Sequence, residues 1–312
     1  MENLTENRII LIIRKTRLEE LISRFNTEGQ AKFYIEHFGS DFSDYKKEHD
    51  NYKTVLRMTQ DALSNTGRLH VLDRTFISNY IFDQKDTIVV LGQDGLVANV
   101  LKYLSHQTVI GVNPDPKRWE GVLLPFLVKD LPKIVPEVFK KLRPIKEVTM
   151  AKAELNTGEV LYGVNDIFIG QKTHVSSRYR IQIGKKFEDH SSSGIIVSTG
   201  LGSTGWFRSV LTGATGIVTS AIGKDIKIQK KNGYPWNADY LYFSVREPWP
   251  SKISGAEITF GKITPKQPLQ LISYMPENGV IFSDGIENDF LQFNSGTHAT
   301  IKIADKKGHL IM

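Results

Sequence analysis

The sequence predicts an α/β + β architecture: an N-terminal Rossmann-like α/β domain followed by a β-rich, β-sandwich-like domain. Three observations predict it. Residues 8–112 alternate short, fully apolar runs with amphipathic helical stretches. That is the pattern of a parallel sheet, because each crossover between parallel strands requires a long connection, usually a helix. After about residue 146 helical periods become rare, and short alternating runs bounded by turn residues take over, as in antiparallel sheets. Finally, a chain of 312 residues, at ~150 residues per domain, corresponds to two domains. The change of pattern places the boundary near Pro144–Glu147, giving domains 1–146 and 147–312.

The elements follow in order. Arg8–Ile13 reads as a buried strand. Thr16 and Glu19 form a Thr-x-x-Glu capping box that opens a short helix. A second helix is expected over about Gly29–His37. A third starts from a Ser43 cap, carries Tyr52, Val55, Leu56, Ala62 and Leu63 at helical spacing, and ends at Asn65 and Gly67. Leu69–Leu72 is a short strand. Thr87–Leu91 is a continuous apolar run, as expected of a strand buried on both faces. A glycine turn, a helix at about Leu96–Leu104 and a strand at Thr108–Val112 come next, and a helix at about Ile134–Leu142 closes the domain. The strands expected beyond it are Val148–Leu155, Val160–Ile169, Tyr179–Ile183, Gly194–Thr199, Ile226–Lys230, Leu241–Val245, Ile258–Phe260, Leu269–Tyr274, Val280–Phe282 and His298–Ile303. A helix around Ser203–Thr212 interrupts them.

Composition excludes several classes of protein. There are no cysteines, so disulfides, thiolate nucleophiles and Cys-ligated metal sites are ruled out. The longest early apolar run, Ile9–Ile13, is too short to span a bilayer, and no small-residue cleavage site follows it. Glu2 and Glu6 argue against a mitochondrial presequence, so a cytoplasmic protein without a membrane partner is expected. The net charge of +6 suits a protein that handles anions. Its lysine pairs at 46–47, 185–186, 230–231 and 306–307 are scattered, which reads as solvated faces and not as a nucleic-acid interface.

Three motifs stand out. Gly92-Gln93-Asp94-Gly95 lies between an apolar strand and its helix. Glycines there let backbone N–H groups approach a phosphate at the helix N-terminus, and Asp94 can take a proton from a hydroxyl or stand near Mg²⁺. The plain alternative is a connecting Asp-Gly turn. In Ser198–Trp206, Gly200, Gly202 and Gly205 satisfy G-x-G-x-x-G, with Asp225 about 20 residues on. This would suggest a dinucleotide-dependent oxidoreductase, but the surroundings read as antiparallel β. Ser203 and Thr204 can instead cap the helix, and Trp206 can stack on a base or simply fill the core. Leu201 occupies the position a nucleophile elbow needs for glycine. In Gly163–Ile169 the polar pair Asn165-Asp166 sits in an otherwise apolar run. An Asn amide both donates and accepts, as an adenine edge requires, and Asp can accept from ribose hydroxyls. A turn at a strand end is the alternative. No His spacing suggests a metal site.

Taken together, these residues resemble the NAD kinase family. Gly92–Leu96 stands for its Gly-Gly-Asp-Gly-Thr, Asn165-Asp166 for its Asn-Glu, and Leu201–Trp206 for its Thr-Gly-Ser-Thr-Ala-Tyr. The mitochondrial type is the closer likeness, on Gly111–Pro116, Glu120-Gly121, Val164–Gly170, Ser192–Gly194, Phe243–Pro248 and Asp284-Gly285. The resemblance spans about residues 8–305. It implies ATP-dependent phosphorylation of the adenosine-ribose 2′-hydroxyl of NAD with Mg²⁺, giving NADP, in a homodimer or higher homo-oligomer. It implies Asp94 as general base, Gly92 and Gly95 shaping the phosphate turn, and Asn165 and Asp166 holding adenosine. Asn113, Ser203, Thr204 and Ser209 would contact ligand, and Trp206 would replace the stacking tyrosine.

The sequence departs from the family at the phosphate turn. Gln93 replaces the second glycine, and its Cβ disfavours the φ > 0 conformations open to glycine. Leu96 replaces the threonine, removing a hydroxyl whose charge-assisted hydrogen bond would contribute ~1.5–3 kcal/mol. A catalytically weak or inactive homologue that binds NAD(P) is therefore the alternative. A lipid or other small-molecule kinase sharing the Gly-Asp-Gly core is a third reading.

Overall fold

The computed structural model describes residues 7–223 and 233–312. The expected strand Ile226–Lys230 and Asp225 lie outside these. The chain divides into two compact units, Met1–Lys146 with His309–Met312, and Glu147–Gly308.

The first unit contains strands β1 (Arg8–Ile13), β2 (Arg68–Asp73), β3 (Thr87–Leu91) and β4 (Thr108–Val112), and helices α1 (Arg17–Phe25), α2 (Glu28–His37), α3 (Phe42–Ser64), α4 (Asp94–Leu101) and α5 (Leu131–Phe139). The strands are parallel in the order β2-β1-β3-β4, and His309 and Leu310 add a further parallel pairing to β4. All five residues of β3 are buried, as its unbroken apolar run requires. One core packs Ile9, Leu11, Val89, Leu91, Ile110 and Val112 against Tyr52, Leu56 and Leu63 of α3 and against Leu131, Ile134, Val135 and Val138 of α5. The Thr16–Glu19 capping box is formed in full. The N-cap of α3 is Asp41 and not Ser43: its carboxylate accepts from the Ser43 N–H and hydroxyl, so Ser43 lies already inside the first turn.

The second unit is built from β5 (Ile145–Leu155, entering from the first unit), β6 (Val160–Gly163), β7 (Asp166–Gln171), β8 (Ser177–Ile183), β9 (Lys186–Ser192), β10 (Ile195–Ser198), β11 (Leu241–Val245), β12 (Phe260–Ile263), β13 (Leu269–Ser273), β14 (Gly279–Ser283), β15 (Ile286–Gln292) and most of β16 (His298–Ile311), with one helix, α6 (Trp206–Ile222). One antiparallel sheet runs β12-β11-β10-β7-β14-β15. It faces β16, β13, β8 and β9, with β5 pairing β16 and β6. Alternate residues of both layers, among them Ile167, Ile169, Ile195, Val197, Phe243, Tyr179, Ile181, Leu269 and Leu271, form the shared core of a β-sandwich. The fold is thus an α/β unit with a parallel sheet and a separate antiparallel β-rich unit.

Several boundaries differ from the sequence reading. The single run Val160–Ile169 is two strands, β6 and β7, because the chain turns at Val164-Asn165. The segments β9 and β15 were not anticipated. Both are polar, with Lys186, Glu188 and Asp189 in one and Glu287, Asn288 and Asp289 in the other, so apolar alternation does not reveal them. The strand expected at Ile258–Phe260 lies instead at Phe260–Ile263, the expected helix Ser203–Thr212 is a 3-10 turn followed by α6 reaching Ile222, and β16 runs on to Ile311.

Candidate functional site

In the first unit, the strand order puts a topological switch between β1 and β3: β1 connects to β2 on one side, while β3 and β4 continue on the other. Ligands of open α/β sheets bind outside the carboxyl ends of the strands at such a switch. Tyr52 ties the two strand ends together. Its hydroxyl accepts from the Arg14 N–H at 3.1 Å, just past β1, and donates to the Leu91 carbonyl at 3.1 Å, at the end of β3. Burial pushes the Tyr52 phenol up to about 12. Beside it, Arg14 and Glu48 form a buried ion pair at 2.7 Å.

Gly92, Gln93, Asp94 and Gly95 follow β3. Gly92 is buried and its N–H donates to the Val112 carbonyl at 3.3 Å. Gln93 is the N-cap of α4, with φ −121 and ψ 163 and no side-chain cap bond. This is extended backbone open to any residue, so the expected conflict between a Cβ and a left-handed turn does not arise. Asp94 is the first residue of α4, half-buried, and its Oδ1 accepts from the Leu123 N–H at 2.7 Å. Gly95 is exposed. Leu96 is buried, and a Cβ on Gly92 would come within 2.8 Å of Leu96 Cδ2, so this leucine packs beneath the turn.

The loop after β4 orients Asp94. Asn113 is buried; its Nδ2 donates to the Trp119 carbonyl at 3.0 Å and its Oδ1 accepts from the Asp115 N–H at 3.0 Å. Gly121, at φ +67, lets the chain turn back, and a Cβ on Gly111 would lie 2.0 Å from the Leu123 carbonyl oxygen. Glycine at 111 is therefore what admits the segment whose N–H holds Asp94. The loop is pinned to α3: Asn51 donates to the Pro114 carbonyl at 3.1 Å, and Arg118 grips Asp44 with two nitrogens, at 2.5 and 3.0 Å. With Arg17 adding a third bond, the Asp44 carboxyl is held far below the usual carboxylate range.

In the second unit, Asn165 and Asp166 occupy the turn between β6 and β7. Asn165 is half-buried, and its side chain makes no hydrogen bond among the described residues. Its carbonyl accepts from the Thr199 N–H at 3.0 Å and hydroxyl at 3.2 Å. Asp166 is buried, opposite Ser198 of β10; burial and then the Asp284 carboxylate push its own carboxyl up to about 7. Gly202 passes so close that a Cβ would lie 1.9 Å from the Asn165 carbonyl oxygen. Gly202 thus serves a close backbone crossing over the Asn-Asp turn, and Gly200 serves a second crossing, where a Cβ would lie 1.9 Å from the Pro235 carbonyl oxygen.

Ser203 is buried. Its hydroxyl donates to the Gly200 carbonyl at 2.6 Å and accepts from the Tyr234 N–H at 3.1 Å, so it holds the loop together. Thr204 is exposed at the end of the 3-10 turn, and Ser209 is exposed in the first turn of α6. Trp206 is half-buried and stacked on Phe168 at 5.8 Å, with the Arg246 guanidinium 5.6 Å from its ring centre. Phe168 lies two residues from Asp166 on the sheet face opposite the sandwich core. A cavity of about 190 Å³ opens there, lined by Phe168, Trp206, Arg246, Lys172, Phe282 and Phe290 among others.

Within the first unit the structure thus joins Gly92, Asp94, Gly95 and Asn113 into one arrangement, and within the second Asn165, Asp166, Ser203 and Trp206. The motifs did not reveal Leu123 or Tyr234, and they included Thr199 and Asp284 without giving either a role, because all four act through backbone groups or across long sequence separations. Among the described residues, no cluster of three or more His, Asp or Glu side chains is arranged to hold a metal, and no helix is long and apolar enough to cross a membrane.

No family model and no curated protein matches the sequence. Solved structures do match the fold. An NAD kinase from Archaeoglobus fulgidus, determined in complex with ATP, aligns with a TM-score of 0.56 at 13% identity, over 98% of this chain and 93% of that one. A yeast NADH kinase complexed with NADH aligns with a TM-score of 0.56 at 15% identity, over 98% of this chain and 83% of that one. This chain has the two-unit fold seen in these kinases.

Proposed function

We propose that the chain is an NAD kinase, most similar to the mitochondrial type, in which residues 1–146 form the nucleotide-binding domain, joined by the returning residues 309–312, and the remainder of 147–312 forms the NAD-binding domain. The observation that carries this reading is Asp94: a carboxylate at the first residue of α4, at the carboxyl end of β3, with one oxygen fixed by Leu123. Fold likeness to an ATP-bound and an NADH-bound kinase supports it.

In this reading Asp94 takes the proton of the adenosine 2′-hydroxyl as that oxygen attacks the γ-phosphorus of ATP. The bond from phosphorus to the β–γ bridging oxygen breaks, and ADP leaves with the electron pair. Gly95, exposed at the N-terminus of α4, admits phosphate close to the backbone where the helix dipole favours an anion, while Gly92 shapes the turn from beneath by leaving room for Leu96. Asn165 and Asp166 hold the adenosine, and Trp206 offers its face for stacking. Thr204 and Ser209, both exposed, add hydroxyl contacts, whereas Asn113 and Ser203 support the loops that carry the site. Mg²⁺ keeps several waters and binds substrate phosphates, so the ATP phosphates would hold it without a dedicated metal cluster and Asp94 would stay free to act as base. The ion would neutralise the charge that develops on the phosphoryl oxygens. A cytoplasmic homo-oligomer belongs to the same reading.

Leu96 favours a second reading. A buried leucine stands where the family has a threonine hydroxyl, which suits a homologue that binds NAD(P) with little or no turnover. Incubating the purified chain with NAD, Mg²⁺ and either ATP or polyphosphate, with NADP measured by a coupled dehydrogenase, separates the two. NADP formation establishes the kinase. No NADP, with a thermal shift on adding NAD, establishes the binding protein. Absence of both rejects NAD as ligand.

A further inference from the structure

The β14–β15 connection is a two-residue hairpin turn, Asp284-Gly285, with φ of +55 and +70. Both values are positive, as a type I′ turn requires, and Asn, Asp or Gly satisfies the first position equally. Turn geometry alone therefore does not call for a carboxylate. The contacts of Asp284 do. Its Oδ1 accepts from the N–H groups of Val164 at 3.1 Å, Asn165 at 2.6 Å and Asp166 at 3.3 Å, and its Oδ2 accepts from Val164 at 3.0 Å. In return the Asp284 N–H donates to the Asp166 carbonyl at 3.1 Å. Successive backbone N–H groups converging on one anion make a nest, a concavity that holds negative charge. Here the nest is filled from within the chain, by a residue about 120 positions away.

This cradle sits at the break between β6 and β7. With two N–H groups engaged ahead of the first β7 pairing, the chain leaves the strand path for Val164-Asn165 and rejoins it at Asp166. The arrangement carries an electrostatic cost, since it sets a second carboxylate beside the buried Asp166. A turn that needed only a hairpin former would avoid that cost with asparagine.

We infer that Asp284 is the positioning residue of the Asn165–Asp166 turn, its carboxylate fixing the backbone that presents both side chains to the nucleoside. The assignment to a nucleoside rests on the reading under Proposed function; the hold on the turn does not.

The test is Asp284→Asn in the full-length chain, which keeps a residue suited to the hairpin while removing the charge and one acceptor oxygen. Two measurements are made: amide hydrogen exchange at Val164, Asn165 and Asp166, and NAD affinity by titration calorimetry, with KM and kcat where NADP forms. Exchange at these three amides is expected to accelerate tenfold or more while amides of β8 and β13 keep their protection. NAD affinity is expected to fall tenfold or more, with the loss in KM and little change in kcat. A further signature is a pH profile for NAD binding displaced to lower pH. Ser198, opposite Asp166 in β10, is uncharged, and Asp284 is the charge that acts on Asp166. Unchanged exchange at the three amides overturns the inference. Faster exchange with unaltered NAD affinity also overturns it, by separating the turn from the ligand. If the unmodified chain binds no NAD while the variant shows faster local exchange, the nucleoside reading fails and the structural hold of Asp284 stands.

Discussion

At the scale of single residues, the proposed chemistry rests on two carboxylates in different settings. Asp94 is half-exposed and oriented by a backbone N–H, and Asp166 is buried beside another acid. Asp94→Asn is expected to lower NADP formation by ~10²–10⁴-fold, the usual value of general-base help, while NAD affinity measured by calorimetry stays close to that of the unmodified chain. Asp166 titrates at about 7 in the folded chain against an ordinary value of 3.8. Between those values the folded chain keeps a proton that the unfolded chain has released, so this group's contribution to stability is present below about pH 4 and is lost as pH rises to 7. Asp166→Asn should therefore gain Tm relative to the unmodified chain over that interval, as followed by thermal melts from pH 4 to 8. A difference in Tm that stays flat across the interval would show that Asp166 does not carry the shift. Asn165→Ala and Asp166→Ala should raise KM for NAD more than they lower kcat, because each removes a ground-state contact. At the phosphate turn, Gln93 is in relaxed extended backbone, and Leu96 is part of the packing. Leu96→Thr is thus expected to cost about 1–3 kcal/mol in urea unfolding, through lost apolar contact and a buried hydroxyl.

At the scale of elements, the two candidate arrangements depend on close backbone crossings that only glycine allows. Gly202 passes over the Asn165 carbonyl, and Gly111 admits the Leu123 segment that holds Asp94. Neither clash falls on a flexible side-chain tip. Gly202→Ala should displace the Asn165–Asp166 turn and weaken NAD binding at least tenfold, whereas Gly213→Ala, with nothing within 4 Å of the new Cβ, should leave binding unchanged and stabilise α6 by about 0.5–1 kcal/mol. Calorimetry and melts of the two variants side by side check both statements. The sequence marked the glycine run 200–205 as unusual but could not separate phosphate binding from backbone crossing. The answer depends on Asn165, which is more than thirty residues earlier in the chain and reaches Gly202 only through the pairing of β7 with β10.

At the scale of the whole molecule, the chain's last residues return to its first unit. His309 and Leu310 pair with Thr108 and Val109 of β4, and Leu310 and Ile311 are each 2% exposed. Burying two such side chains contributes roughly 3–6 kcal/mol. Deleting residues 309–312 should therefore lower stability by an amount of that order, seen as an earlier first transition in urea unfolding, with the loss in the parallel-sheet unit. The fold itself is shared along 98% of this chain with the two solved kinases at only 13% and 15% identity, so it does not depend on most residue identities being kept.

What the sequence determined by itself was local and periodic. The strands Arg8–Ile13, Thr87–Leu91, Thr108–Val112 and Leu241–Val245 coincide with the structure because runs of five or six residues, mostly apolar and rich in β-branched or aromatic side chains, are too short for a buried helix and fit a strand covered on both faces. The Thr16–Glu19 cap was equally legible, since donor and acceptor lie three residues apart. The motifs around Asp94 and Asn165-Asp166 also stood out, as polar groups set in apolar surroundings. Only the tertiary structure decided what those groups touch. That Leu123 orients Asp94, that Asp284 cradles three N–H groups from 120 positions away, and that Asn113 and Ser203 bond to loops follows from partners distant in sequence. The polar strands β9 and β15 were decided in the same way. A strand's hydrogen bonds are made with its neighbour, so a polar segment becomes a strand when β8 or β14 offers it an edge, and nothing within the segment records that offer.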